Sequence, residues 1–272
     1  MHEIFLCPVC GELLTESEKL YCCVKNHNFD KARSGYVNLL SVRQKHAKLP
    51  GDNPEMVRAR RDFLNHDYYQ HLQEALCKAV LKYMPSAGVL LDAGCGEGYY
   101  TKKISDALPE ECSCLGIDIS KTAADLAARA DKKTRYAVGS VFHLPVGEQK
   151  IDLLMSVFAP YCGSEFLRVL KSQAFFIMVI PSARHLWELK TAVYDKPYEN
   201  QVRDYTLDGF AFKEKIISEK EILISSPEDI QNLFQMTPYA YRTSAHERER
   251  LEKLQSLHVR TAFEILIYQK EA

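Results

Sequence analysis

The stretch VLLDAGCGEGYYTKKI (89–104) limits the fold of this chain more than any other. VLLDA is a short apolar run, glycines follow at 94, 96 and 98, and a helical pattern then continues to about Leu108. A buried strand that turns through glycines directly into a helix is the opening move of a parallel α/β sheet. The alternation repeats downstream. CLGID (114–118) precedes the helical SKTAADLAARA, and TRYAV (134–138), DLLMSV (152–157) and FFIMVI (175–180) are further strands. KIISEKEILI (215–224) and TAFEILIYQ (261–269), with a helix around 227–234 between them, read as a terminal pair closing one edge. The expectation is an α/β fold with a mostly parallel seven-stranded sheet covered on both faces.

Upstream of that sheet, Asn53-Pro54 reads as an N-cap with proline in the first turn of a helix through MVRARRDFL. A second helix through YYQHLQEALCKAVLKYM puts Leu72, Leu76, Ala79 and Val80 on one face. Residues 36–53 lack periodicity and contain Pro50-Gly51, which predicts a loop. The expected division is a small cysteine module at 1–35, a linker with helices at 36–84 and the sheet domain at 85–272.

The 272 residues are 46% hydrophobic and 26% charged, a balance that predicts a globular core rather than disorder. No apolar run reaches the ~20 residues that cross a bilayer, so no membrane partner is expected. MHEIFLCPVCG lacks the basic and apolar regions of a signal peptide. With nine cysteines, an odd number, this points to a cytoplasmic chain whose thiols are buried or bind metal. The net charge of -1 names no partner, but residues 25–61 hold nine Lys or Arg against three acids. That local excess is either a polyanion footprint or an ordinary solvated surface.

CPVCGELLTESEKLYCCVKNH (7–27) places four cysteines and a histidine within 21 residues. Zinc takes thiolate and imidazole ligands tetrahedrally, commonly as two pairs on short turns. Cys7 and Cys10 form the first pair. His27 with Cys22 or Cys23 forms the second. Cys23 is the choice, because it leaves three residues before His27 and because Cys22 points the other way in an alternating strand LYCCV. Four protein ligands leave no open position, so the expected zinc site is structural. A redox CxxC pair is the plainer alternative. Lys25, Lys31 and Arg33 lie beside the ligands and are expected to give the module a basic surface.

The glycine pattern is G-x-G-x-G, not the dinucleotide G-x-G-x-x-G. Gly94, Cys95, Gly96, Glu97 and Gly98 form a turn that a nucleoside can approach closely. Asp92 offers an acceptor to a cationic amino group. Asp118, followed by Ile119 at the next strand end, can accept ribose hydroxyls and disfavours a phosphate there. Ser140 and Val141 follow the third strand, where an adenine would lie. This set fits S-adenosylmethionine (SAM) better than NAD; a turn that merely packs is the alternative reading.

These residues, with GYVNLL (35–40), PGDNPEMVRARRDFL (50–64), LDAGCGEGYYT (91–101), FAPY (158–161), PSARHLWELK (181–190) and QMTPYAYR (235–242), resemble the bacterial 23S rRNA (guanine-N1)-methyltransferases that carry an N-terminal zinc finger. The resemblance runs over nearly the whole chain. It implies zinc on Cys7, Cys10, Cys23 and His27, and a class I Rossmann-like SAM-dependent methyltransferase domain. The implied acceptor is a guanine in a domain II hairpin loop of 23S rRNA. Two branches of that family differ in the loop guanine they modify. The resemblance also places Tyr69 over the cofactor. One departure stands out: the family's usual Pro-Gly-Gly turn before strand five is Leu170-Lys171-Ser172-Gln173-Ala174 here.

Phe158 and Tyr161 follow strand four at the carboxyl edge, where they can stack on a base taken out of the RNA or simply pack in the core. His185, after strand five, can line the cofactor or base pocket or accept a proton. The base-side candidates are therefore Phe158, Tyr161 and His185. Two other functions compete: a small-molecule methyltransferase, which would keep activity without residues 1–35, and a non-catalytic zinc-containing RNA-binding protein, which would bind cofactor without turnover. The residues are silent on assembly, with a homodimer as the form to test.

Overall fold

The computed structural model describes residues 3–41, 51–202, 205–241 and 243–272. Half of the expected loop at 36–53, residues 42–50, lies outside the described residues.

The amino-terminal module is a three-stranded antiparallel sheet in the order β1 (Leu14–Glu16), β2 (Leu20–Cys23), β3 (Asn28–Asp30). β2 alternates: Tyr21 and Cys23 are buried while Leu20 and Cys22 are half-buried. That period of two turns Cys23, not Cys22, inward.

The main sheet takes its core from β5 (Val89–Ala93), β6 (Ser113–Asp118), β7 (Arg135–Val138), β8 (Ile151–Val157) and β9 (Leu170–Pro181), all parallel. β11 (Leu257–Lys270) runs antiparallel to β9, and β10 (Phe210–Ile224) pairs antiparallel with β11. These are the seven expected strands. A two-residue eighth, β4 (Val37–Asn38), adds in parallel to β7, where a loop was expected. Two residues are too few to show a periodicity, so sequence reasoning could not find it. The full order is β10-β11-β9-β8-β5-β6-β7-β4. Every residue of β5 is buried, as a central strand covered on both faces requires.

On one face lie α1 (Pro54–Leu64), α2 (Gln70–Tyr83), α3 (Tyr99–Ala107), α6 (Trp187–Val193), α7 (Pro227–Gln235) and α8 (Ala245–Glu252), all set between strands of the sheet, α1 and α2 between β4 and β5. Asn53 caps α1, its side chain accepting from the Met56 N–H, and Pro54 opens the helix. α4 (Lys121–Ala130) buries Ala123, Ala124, Ala127 and Ala128, and this small-residue face lets it close on the glycine loop. The opposite face is different. The β7–β8 connection has no helix, and β8–β9 has only α5 (Gly163–Val169). The module fills that space: Ile4, Phe5, Cys7, Leu14, Tyr21 and Cys23 share one apolar cluster with Leu91, Leu115, Leu154, Phe166 and Phe176. The zinc module is thus a layer of the core as well as an appendage.

In place of the Pro-Gly-Gly turn, β9 begins at Leu170, loses register with β8 between Ile151 and Leu153, and passes Gln173 through φ 62°. Gln173 takes the left-handed position that glycine would fill. The Gln269 amide donates to its carbonyl at 2.9 Å.

Candidate metal centre and methyl-donor site

Cys7, Cys10, Cys23 and His27 bring one ligand atom each within 4.8 Å of one another. Two tight turns present them. The Gly11 N–H donates to the Cys7 carbonyl at 2.8 Å with Gly11 at φ 76°, and the Asn26 N–H donates to the Cys23 carbonyl at 2.9 Å with Asn26 at φ 60°. Cys10 Sγ lies 3.7 Å from Cys23 Sγ, and His27 Nδ1 lies 3.6 Å from Cys7 Sγ and 3.4 Å from Cys23 Sγ. A zinc tetrahedron with its usual Zn–S and Zn–N bonds has edges of about 3.5–3.8 Å. Thiolates and imidazole at those separations fit zinc, with His27 ligating through Nδ1. Cys22 stands outside the set.

The basic surface expected beside the ligands is mostly neutralised. Lys25 pairs with Glu12 at 3.0 Å, and Lys31 pairs with Glu16 at 2.6 Å while lying over the Tyr21 ring. Glu16 also faces Arg135 of the main sheet at 3.9 Å. Glu16 therefore links the module to the sheet, and Lys31, held by Glu16, is not a free phosphate contact. Arg33 is exposed.

The glycine loop sits at the carboxyl end of β5, where strand order reverses between β5 and β8. Ligands bind parallel α/β sheets in such crevices. Gly94, Gly96 and Gly98 all have positive φ. At Gly94 a Cβ would lie 2.3 Å from the Ala159 Cβ, so the glycine loop and the Phe158–Tyr161 loop touch there. The Gly94 and Cys95 N–H groups donate to the Ile117 carbonyl, and Gly96 N–H donates to Asp118 Oδ2 at 2.9 Å. Asp118 Oδ1 accepts from Ser120 N–H at 2.8 Å. The Asp118 carboxylate is thus fixed beside the loop, each oxygen retaining acceptor capacity.

Asp92 is buried. Thr101 Oγ1 donates to its Oδ2 at 2.6 Å, and its Oδ1 has no partner. Buried Glu97 likewise has an unpartnered Oε2. Burial pushes both carboxyls up to about 7. The Thr101 bond opposes the shift at Asp92, and the Arg60 guanidinium opposes it at Glu97. Burial also raises Asp118. Two buried carboxyls with orphaned oxygens, and the half-buried Asp118 beside them, form a cradle that is short of positive charge. The cationic sulfonium and ammonium of S-adenosylmethionine fit it; an anionic phosphate does not. Ile119 packs with Leu40, Ala124 and Val138, and the Ser140 hydroxyl accepts from the Phe142 N–H. Val141 is buried in the cluster shared with the module.

Sequence reasoning missed several parts of this site. Arg60 on α1 pairs with Asp52 at 2.5 Å and points at Gly96. Thr101 sits one turn into α3. The periodicity of α1 predicted a helix, but nothing in it said that the helix would cross the cradle.

The aromatic candidates separate. Phe158, at φ 55° and 46% exposed, lies 5.4 Å from Phe263 and 6.5 Å from Tyr100. Tyr69 and His185 contact the same Phe263 ring, at 4.9 and 4.5 Å. Tyr161 instead rests on Phe166 and Phe176, in the cluster of the opposite face. Phe263, on a terminal strand that looked purely structural, is the hub of the first group.

His185 is buried, and its Nδ1 accepts from the Ala262 N–H at 3.2 Å. Burial, with Lys190 and His71 adding to it, pushes the imidazole down to about 3. It is uncharged at neutral pH, with its proton on Nε2. The proton-acceptor option for His185 loses its basis, because one nitrogen is engaged and the other is already protonated. The Tyr69 hydroxyl is buried without a partner, and burial raises its pKa.

Comparison with known proteins follows the same division. Residues 5–48 match the zinc-ribbon family described as RlmA, N-terminal, and residues 90–173 match a methyltransferase domain. A Micromonospora griseorubida protein, provisionally named a 23S rRNA (guanine-N1)-methyltransferase, is 36% identical over 67% of this chain and 67% of its own length. The Streptomyces fradiae 23S rRNA (guanine(748)-N1)-methyltransferase is 34% identical over 69% of this chain and 66% of its own. Among solved structures, the [4+2]-cyclase SpnF superposes with a TM-score of 0.50 at 16% identity, covering 73% of this chain and 80% of that one, a likeness of fold alone. No helix among the described residues is long and apolar enough to cross a membrane. The chain belongs to the 23S rRNA (guanine-N1)-methyltransferase family, SAM-dependent enzymes in which a zinc ribbon precedes a class I Rossmann-like methyltransferase domain.

Proposed function

We propose that this protein methylates N1 of a guanine in a domain II hairpin loop of 23S rRNA. The observation that carries the reading is the pairing, in one chain, of a Cys3His ribbon built into the sheet's core with a cradle of unpartnered carboxyls at the sheet's switch point. The action on rRNA of the curated relatives supports the acceptor class. An rRNA acceptor places the enzyme in the bacterial cytoplasm. The reading extends to a homodimer, which sedimentation of the zinc-loaded chain tests.

The bound donor supplies a methyl group on a sulfonium, already activated for in-line displacement. The residues supply position and charge. Asp92 and Glu97 hold the cationic end, and Asp118 receives the ribose with Ile119, Ser140 and Val141 around the adenine. Gly94, Cys95, Gly96 and Gly98 let it lie against the backbone. Tyr69 covers it. The target base leaves the RNA stack and enters beside Phe158, whose ring, backed by Phe263, stacks on it. Carbonyls of the Phe158–Tyr161 loop face its Watson–Crick edge. His185 serves as an uncharged wall that excludes water. Tyr161, seated on the other cluster, fixes the end of the loop. Cys7, Cys10, Cys23 and His27 hold zinc and with it the ribbon.

The test is incubation of the zinc-loaded protein with radiolabelled donor and, separately, unmodified 23S rRNA, tRNA and a metabolite pool. Label in 23S rRNA, mapped as a primer-extension stop at one domain II guanine, is the expected result and identifies that guanine. Label confined to small molecules overturns the reading.

A further inference from the structure

Five phenylalanine or tyrosine rings are exposed among the described residues: Phe142, Phe158, Tyr161, Tyr198 and Phe212. Four have ring neighbours. Phe158 has Phe263 and Tyr100, Tyr161 has Phe166 and Phe176, Tyr198 has Tyr194 and Tyr239, and Phe212 has Tyr205 and Tyr268. Phe142 is the most exposed of the five, at 59%, and among the described residues it has no ring or cation–π neighbour.

The loop that carries it is held from both sides. The Phe142 N–H donates to Ser140 Oγ, and Gly139 N–H donates to the Asp118 carbonyl, which joins the loop to the donor edge. Leu144 N–H donates to Glu165 Oε2 at 2.6 Å, while Arg168 donates to the Leu144 and Val146 carbonyls at 3.0 and 2.7 Å. Phe5 bridges Val146, and Leu6 N–H donates to the Pro145 carbonyl, so the zinc ribbon is seated on the same loop. A few residues thus join the donor site, the ribbon and α5, and at their centre stands an apolar ring in water on a fixed backbone. A ring presented this rigidly loses little entropy when a planar partner covers it. Unpaired nucleobases are such partners, and every base offers a stacking face.

We propose that Phe142 stacks on an unpaired base of the acceptor RNA, next to the nucleotide that enters the site beside Phe158. This rests on the rRNA reading above, and it assigns a second, sequence-tolerant contact between the ribbon and the donor edge. Because the ring is mostly exposed and belongs to no apolar cluster among the described residues, its replacement leaves the fold intact.

The experiment compares wild type, Phe142→Ala and Phe142→Trp in the zinc-loaded full chain. The substrate is a transcript of the domain II hairpin of 23S rRNA, and donor affinity is measured separately by calorimetry. Loss of one base stack raises the RNA KM of Phe142→Ala by about tenfold or more. Phe142→Trp stays within about twofold of wild type, since a larger ring stacks at least as well. Donor Kd is unchanged in both. A weakened donor Kd in Phe142→Ala overturns the proposal by making the ring a cover for the donor's adenine. An unchanged RNA KM overturns it too. Wild type that methylates no RNA overturns the rRNA reading itself, a different failure from a wild type that is active and indifferent to Phe142.

Discussion

The zinc ribbon and the donor cradle both gather charged side chains around one point, and they do it in opposite ways. The ribbon takes all four ligands from 21 consecutive residues, on two short turns. Its geometry is local, and the metal closes it. The cradle takes Asp92 and Asp118 from two strand ends, Glu97 from the glycine loop, Arg60 from α1, and its aromatic wall from Phe158 and Phe263. Its geometry is tertiary, and the carboxyls are held together against their own repulsion by the fold. A site of the first kind is specified by spacing; a site of the second kind is specified by which loops meet.

The largest effect follows from breaking the ribbon. Zinc binding to such a site contributes about 10–16 kcal/mol that exists only in the folded state. Cys23→Ser leaves three ligands and uncovers the sheet face shared with Leu91, Leu154 and Phe176. The expected result is loss of zinc by atomic absorption and a cooperative loss of thermal stability that reaches the main sheet. Cys22→Ser keeps zinc and stays within about 1 kcal/mol of wild type, as expected of a half-buried residue outside a network. If Cys22→Ser lost the metal instead, the ligand assignment would be wrong.

The next break is at the cradle alone. Gly94→Ala asks for a Cβ 2.3 Å from the Ala159 Cβ, on a backbone at φ 89°. Left-handed strain alone costs about 1–3 kcal/mol, and the Phe158–Tyr161 loop must also move. Donor affinity falls by about 100-fold or more by calorimetry, while zinc content is unchanged. A parallel loss of zinc would mean that the two regions are not separable in this way.

Acid separates the regions by sign. Asp92 and Glu97 stand at about 7 in the folded protein, above their ordinary values of 3.8 and 4.5. Their protons are bound more tightly by the folded state, so this contribution to the stability of the donor-free protein is complete at low pH. It is lost as pH rises from about 4 to about 7. A cationic donor needs the ionised forms, so donor affinity rises with pH up to about 7 and then levels, and binding at pH 6 releases protons. The ribbon runs the other way, because its thiolates and imidazole must be deprotonated to hold zinc. Calorimetry in buffers of different ionisation enthalpy measures the release. Asp92→Asn flattens part of the pH dependence; a donor affinity level from pH 6 to 8 in wild type would refute the carboxyl cradle.

The same contrast explains what the sequence disclosed. The ribbon ligands, the strand–glycine–helix unit and the seven strands from β5 onward were legible because each depends on spacing or periodicity within a short window. The covering of a sheet face by the ribbon was not, since Ile4 and Phe5 look like any apolar pair until the β7–β8 connection is seen to lack a helix. Phe263 was read as strand and nothing more, because apolar alternation does not say which ring a loop will rest on. Lys25 and Lys31 misled for a related reason: composition counts charges, and the acids that neutralise them, Glu12 and Glu16, come from neighbouring turns and strands.

The smallest effect concerns the irregular start of β9, where sequence and fold disagree openly. The strand bends there through a left-handed residue, and Gln173 supplies it at φ 62° where glycine would serve without strain. The left-handed backbone costs a side chain roughly 1 kcal/mol, and glycine's greater freedom in the unfolded chain returns roughly 0.5–1 kcal/mol of that. The bond from Gln269 goes to the backbone carbonyl and survives substitution, while the Gln173 side-chain contact to the Lys270 carbonyl is long, at 3.5 Å. Gln173→Gly is therefore expected to leave thermal stability within about 1 kcal/mol of wild type, on the stabilising side if either, with donor affinity and zinc content untouched. A loss well beyond 1 kcal/mol would mean that the glutamine side chain secures the β9–β11 edge, and that the departure from Pro-Gly-Gly is a local solution of its own rather than a tolerated strain.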